Sequence, residues 1–232
     1  MKTVGIIGGI GPESTIEYYR QIIASYRQRK QDGSYPSIFI NSIDIARMIK
    51  LFETNDLAAV TEHLLDALQK LADAGADFAV LAANTPHVVF DELNRKSLIQ
   101  LISIVETACD AAKAMGLQRL SLFGTRFTMQ GRFYPDVFAR EGIALVIPPP
   151  DDQAYIHDKY MSELIHGKIL PATREQFLQI VERLKELHGI QGLILGGTEL
   201  PLLLRDNEYK GIPFLDTTKI HVERIVVRLV DF

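Results

Sequence analysis

Leu193-Ile194-Leu195-Gly196-Gly197-Thr198-Glu199-Leu200-Pro201 is the stretch whose reading decides the fold. A short apolar run ends in two glycines, a hydroxyl and a carboxylate. This is the form of a buried parallel strand that carries polar groups to the rim of a sheet. Open α/β sheets bind ligands there, beyond the carboxyl ends of the strands. The form occurs a second time at Phe78–His87, where Phe-Ala-Val-Leu-Ala-Ala leads into Asn84, Thr85, Pro86 and His87. Ala83 and Gly197 hold equivalent places in the two copies, 114 positions apart.

Outward from these two rims, apolar runs alternate with amphipathic stretches. Val4–Gly8 is a strand that breaks at Gly8-Gly9-Ile10-Gly11-Pro12 and feeds a helix with Ile16, Tyr19, Ile22 and Ile23 at helical spacing. Ser37–Asn41 is the next strand, followed by a polar loop with Asp44 and Arg47, then a helix capped by Asn55-Asp56 and ended by Gly75. After a short helix at 88–94, a strand at 98–102 and a helix at 105–115, the pattern restarts. Leu120–Phe123 ends in Gly124-Thr125, helices follow at 129–140, 154–165 and 174–188, and strands at 144–147, 193–195 and 213–215. The helix 221–230 closes the chain. The glycine stops Gly8 and Gly124 lie 116 apart, close to the spacing of the rim pair, which points to an internal duplication. The expected fold is α/β: two pseudo-symmetric lobes, each a mainly parallel sheet flanked by helices, with the ligand cleft between them. Residues 1–97 plus 214–232 are assigned to the N-terminal lobe and 98–213 to the C-terminal lobe.

Composition narrows the function. A net charge of −4 argues against a nucleic-acid surface, and the one basic cluster, Arg27, Arg29 and Lys30, sits where cations complement a helix dipole. No apolar run approaches the ~20 residues of a membrane span. One cysteine, Cys109, excludes an internal disulfide; with no signal-like start, the expectation is cytoplasm.

The first glycine loop invites a dinucleotide reading, but Ser14 stands at the third glycine position and Asn41-Ser42 replace the ribose-binding acid. A backbone nest at Gly9, Ile10 and Gly11 that receives a small carboxylate fits better. His87 with Asp91, and His157 with Asp158, form no recognised metal-ligand set, so neither metal nor cofactor is expected. Cys109 falls on a buried helix stripe with Ile102, Val105 and Ala112. His221 reads equally as a packed core histidine, and Asp216-Thr217-Thr218 as a helix cap.

Four ordered motifs, Gly-Gly-Ile-Gly-Pro-Glu-Ser-Thr at 8–15, Ala-Asn-Thr-Pro-His at 83–87, Leu-Phe-Gly-Thr-Arg-Phe-Thr-Met at 122–129 and Gly-Gly-Thr-Glu-Leu-Pro at 196–201, together resemble the aspartate/glutamate racemase family. The resemblance implies cofactor-independent proton transfer at Cα of a small amino acid, and a homodimer. It also implies a thiol before each Asn-Thr or Thr-Glu pair, one on each face of the substrate. Here those catalytic positions hold Ala83 and Gly197, which carry no proton. In the segment matching 164–170, Ile165 stands where aspartate-specific members add a lysine, and Arg47 lies near the family's loop arginine.

Three readings follow. The protein is a racemase or epimerase with an altered proton-transfer set, in which Glu199 or His87 must act, since a hydroxyl is a poor base without a partner. Or it is a catalytically silent binder of carboxylates or amino acids. Or it is a lyase or decarboxylase for which one face suffices. In each, Asn84, Thr85, Thr125, Thr198, Arg47 and the Gly9–Gly11 amides are the expected ligand donors, because a buried carboxylate needs several.

Overall fold

The apolar runs marked as buried strands form two parallel sheets in the computed structural model, which describes residues 2–231. In chain order the elements are β1 (Thr3–Gly8), α1 (Pro12–Arg29), β2 (Ser37–Ser42), α2 (Ile45–Glu53), α3 (Leu57–Asp73), β3 (Phe78–Leu81), α4 (Phe90–Lys96) and β4 (Gln100–Ile102). Then come α5 (Ile104–Ala114), β5 (Arg119–Gly124), α6 (Arg126–Gln130), α7 (Phe133–Arg140), β6 (Ala144–Val146), α8 (Pro150–Ser162) and α9 (Pro171–His188). The chain continues with β7 (Gly192–Gly196), α10 (Leu200–Leu203), β8 (Glu208–Tyr209), β9 (Ile212–Asp216) and α11 (Thr217–Val230). It divides into two compact units, one running up to Ile104 and resuming at His221, the other spanning Val105–Ile220.

The first sheet has strand order β2-β1-β3-β4, all parallel. The second repeats that permutation as β6-β5-β7-β9, again parallel, with the two-residue β8 pairing antiparallel to β9 at the edge. The central strands β1 and β3 of the first sheet are buried on both faces, which is why they read as unbroken apolar runs. Ile7, Ala79 and Leu81 point toward Val60, Leu64, Leu68 and Leu71 of α3. The alternate residues Val4, Ile6, Phe78 and Val80 pack with Tyr18, Ile22 and Tyr26 of α1 and with Val222, Ile225 and Val226 of α11. In the second unit Phe123, Leu193 and Leu195 pack with Ile156 and Tyr160 of α8 and with Phe177, Ile180, Val181 and Leu184 of α9.

One buried polar pin joins three elements of the first unit. His221 Nδ1 lies 2.8 Å from Tyr18 Oη, and its Nε2 lies 3.0 Å from the Ile102 carbonyl. With Nε2–H donating to the carbonyl, Nδ1 accepts from the tyrosine hydroxyl. This ties α11 to α1 and β4, and His221 is the core histidine that its sequence position allows. Asp216 Oδ1 accepts from the Lys219 amide at 3.0 Å, the N-cap expected there.

The structure departs from the sequence reading in several places. The polar loop with Asp44 and Arg47 is instead the start of α2: Asp44 Oδ1 accepts from the Ala46 amide at 2.9 Å, and Met48 anchors the helix in the core. The helix expected over 129–140 breaks in two at Gly131, whose extended backbone lies against the Phe133 ring. The helix expected over 154–165 starts earlier, with Pro150 in its first turn, and ends at Ser162. β4 pairs with β3, so residues 100–102 sit in the first sheet, not the second lobe; β9 pairs with β7, so 214–216 sit in the second sheet.

Replacing Tyr18 with Phe keeps the ring but leaves the buried His221 Nδ1 without its donor. The expected cost is about 1–3 kcal/mol in urea unfolding; an unchanged midpoint would show that the pin is not structural.

Candidate active site

In the first unit the rim is made by β1, β3 and the loops that follow them. Gly8 ends β1, and Gly9 turns the chain with φ 82°, packed against the Ile43 backbone. A Cβ at Gly9 would lie 2.7 Å from the Ile43 nitrogen, and positive φ disfavours any side chain. Gly11, also at positive φ, opens α1 with no side-chain cap. The Gly9 amide donates to Thr15 Oγ1 at 2.9 Å, so this expected ligand donor is used internally. The Ile10 and Gly11 amides donate no hydrogen bond among the described residues.

Beside them, Ala83 and Asn84 precede a 3-10 turn, Thr85–Val89. The Asn84 carbonyl accepts from the His87 amide at 3.0 Å, and the side chain of Asn84 is buried. The half-buried Thr85 hydroxyl takes no partner among the described residues. His87 is committed at both nitrogens. Nδ1 lies 3.0 Å from the Ala83 carbonyl, Nε2 accepts from the Ile104 amide at 3.2 Å, and the ring stacks on Phe90. Burial pushes its pKa down to about 4, against the opposing pull of the Ala83 and Asn84 backbone. The imidazole is therefore a neutral strut, and its candidacy as the replacement base falls. Arg47 is exposed on α2 and makes no ion pair among the described residues.

In the second unit β5 and β7 end side by side at Gly124 and Gly196, in register. The Thr125 hydroxyl accepts from the Thr128 amide at 3.3 Å and so caps α6; the expected ligand donor is a helix cap here. Thr198 and Glu199 follow Gly197, both half-buried. Thr198 Oγ1 donates to Glu199 Oε2 at 2.8 Å. The same carboxylate oxygen accepts a short hydrogen bond from Tyr160 Oη of α8.

Tyr160 is the residue that sequence reasoning missed. A Cβ built on Gly197 would lie 2.5 Å from Tyr160 Oη and 2.7 Å from its Cε2. The φ of Gly197 is not positive, so the backbone accepts a side chain and the ring forbids it. Burial, then the Glu199 charge, hold the Tyr160 hydroxyl well above its ordinary pKa of 10.0, so it stays protonated. Ile165 sits half-exposed in a 3-10 turn, Leu164–His166, after α8. His157 Nδ1 accepts from the Arg126 amide at 3.2 Å. Among the described residues no group of three or more His, Cys, Asp or Glu is placed to hold a metal ion.

A family model described as Asp/Glu/Hydantoin racemase matches residues 7–225. The chain superposes on the crystal structure of a candidate Asp/Glu racemase from Yersinia pestis with a TM-score of 0.92, at 30% identity over 100% of both chains. For an aspartate racemase homologue from Pyrococcus horikoshii OT3 the TM-score is 0.84, at 31% identity over 99% of each. The broad specificity amino-acid racemase RacX of Bacillus subtilis is 24% identical over 225 residues, 93% of this chain and 92% of that one.

Two outcomes follow from this geometry. Gly197→Ala pushes a methyl into the Tyr160 ring and is expected to cost about 1–3 kcal/mol, much of it recovered in a Tyr160→Leu background; additive costs would disprove the contact. The two buried histidines, His87 at about 4 and His221 at about 3, sit below their ordinary 6.5, mainly through burial. The unfolded chain therefore binds protons that the fold refuses. Stability should be full above pH 6.5 and fall by about 1.4 kcal/mol per pH unit for each histidine below it. A melting temperature that is flat from pH 6.5 to 5 would contradict this.

Proposed function

The chain belongs to the Asp/Glu/hydantoin racemase family, and on that footing we propose that it binds a small acidic amino acid and moves the proton at Cα with Glu199 in place of a thiol pair. One observation carries the reading. Of the titratable groups at the two strand rims, His87 is locked neutral at both nitrogens, while Glu199 keeps a carboxylate oxygen that accepts no hydrogen bond among the described residues. Ala83 and Gly197 supply nothing that ionises.

In the first unit the Ile10 and Gly11 amides, Asn84 and Thr85 are the donors offered to a ligand carboxylate; in the second unit Thr198 stands beside the base. This grouping is supported by the duplicated rims and by the family resemblance. Arg47, a cation without an ion pair among the described residues, is the candidate partner for a second carboxylate. No cofactor is required by this chemistry, because the electron pair left at Cα is stabilised by the hydrogen-bonded carboxylate. The reading includes a cytoplasmic setting, supported by the single cysteine.

We also propose a homodimer. Ile16 and Tyr19 of α1 are 59% and 47% exposed, and Phe39 and Ile40 on edge strand β2, with Ile45 and Ile49 of α2, are exposed in the same unit. Ile22, by contrast, is core. Light scattering at micromolar concentration is expected to give twice the chain mass of 26.0 kDa; the single-chain mass would refute the dimer.

The decisive assay is deuterium incorporation at Cα in D2O over the proteinogenic amino acids, Asp and Glu first. Exchange is expected, and Glu199→Gln should lower it by about 10²–10⁴-fold. Binding of amino acids with no exchange by the unmodified protein would leave a silent binder and defeat the reading.

A further inference from the structure

We propose that Tyr160 is the positioning residue of this site: it takes the side-chain space of Gly197, orients Glu199, and confines proton transfer to one face of the substrate. This inference rests on the reading of Glu199 as the base. Tyr160 is only 6% exposed and packs in the core with Phe123, Leu164 and Phe177, so its hydroxyl is held by the body of the second unit and not by a mobile loop. Its Oη and Thr198 Oγ1 both donate to Glu199 Oε2. That saturates one oxygen and leaves Oε1 to take a proton. Because the tyrosine stays protonated, it acts as a fixed donor, and the base at this rim is the carboxylate.

The step balances without a co-reactant. The Cα–H bond breaks and its proton goes to Glu199 Oε1, while the electron pair moves into the ligand's α-carboxylate as an enolate-like anion. The Glu199 acid exchanges its proton with water and then returns a proton or deuteron to the same carbon from the same side. At the rim of the second unit Glu199 is the group offered as proton carrier, so the proton returns from the side it left. The product is an amino acid labelled at Cα with its configuration retained.

The Gly197–Tyr160 pair also explains how such a site is built. A side chain at 197 and a ring at 160 exclude one another by less than 3 Å. The glycine is therefore the complement of the tyrosine, and a side chain at 197 requires the ring to shift or to be made smaller. In these terms Tyr160 and Gly197 act as one unit in two parts.

The test compares wild type, Tyr160→Phe and Glu199→Gln by α-deuterium exchange with chiral analysis of the labelled amino acid. Tyr160→Phe keeps the ring and its packing, and circular dichroism and melting check that it folds. We expect exchange with retention by wild type, and for Tyr160→Phe a kcat lowered about tenfold or more with KM within about twofold. A merely structural tyrosine would leave kcat unchanged in this variant. If Tyr160→Phe matches wild type while Glu199→Gln abolishes exchange, the positioning role is overturned and the base assignment stands. Racemised product from wild type overturns the one-face chemistry. No exchange by wild type on any amino acid overturns the base assignment, and this inference with it. Should Tyr160→Phe fail to fold, Thr198→Val removes the other donor to Oε2 and is read by the same kcat criterion.

Discussion

Close approach between a strand's last glycine and a threonine on the next helix is the constraint on which both units are built. At Gly8 a Cβ would lie 2.5 Å from Thr15 Cγ2; at Gly124 it would lie 2.9 Å from Thr128 Cγ2 and 2.9 Å from the Gly196 carbonyl. The helix can start almost at the strand's end only because nothing projects there. A short turn results, and a short turn keeps backbone amides and small hydroxyls at the rim. A methyl at either glycine would force the helix away and lengthen the loop. The rim chemistry thus follows from missing side chains more than from present ones.

The same economy divides the polar groups at the rims into two kinds. Some face inward and hold the fold: the Gly9 amide on Thr15, the Thr125 hydroxyl on α6, and the His87 ring between Ala83 and Ile104. Others are left over once the fold is satisfied, among them the Ile10 and Gly11 amides, Thr85 and one oxygen of Glu199. Residue type alone does not separate the kinds. A threonine before a helix serves equally as a cap or as a donor to a ligand; geometry assigns Thr125 to the first use and gives the Thr85 hydroxyl no partner among the described residues.

Much of the architecture was legible from the amino acids because the central parallel strands β1, β3, β5 and β7 are buried on both faces. Burial on both faces writes each of them as an apolar run, and the glycine stops repeat at nearly equal spacing. What escaped was structure whose signal is weak or distant. α2 carries few core residues, Met48 being its one fully buried side chain, so its stretch read as a polar loop. β8 is two residues long and pairs antiparallel, below any period that can be counted. Strand β4 and the end of β9 fell in the wrong lobe because pairing partners are not written in the segments themselves. Of the rim, the motif positions were visible, including the oddity of Gly197. Its explanation lay on another helix, where Tyr160 looks like any core aromatic until α8 is packed.

Cys109 has a further bearing. It is buried on α5, and burial, followed by the charges of Glu141 and Asp110, pushes its pKa up to about 11. At neutral pH the thiol stays protonated, and the thiolate is the form that alkylating reagents and peroxides attack. Cys109 is the one thiol of the chain, so thiol reagents find little ionised sulfur to attack. Its sulfur therefore works as apolar filling on the buried face of α5.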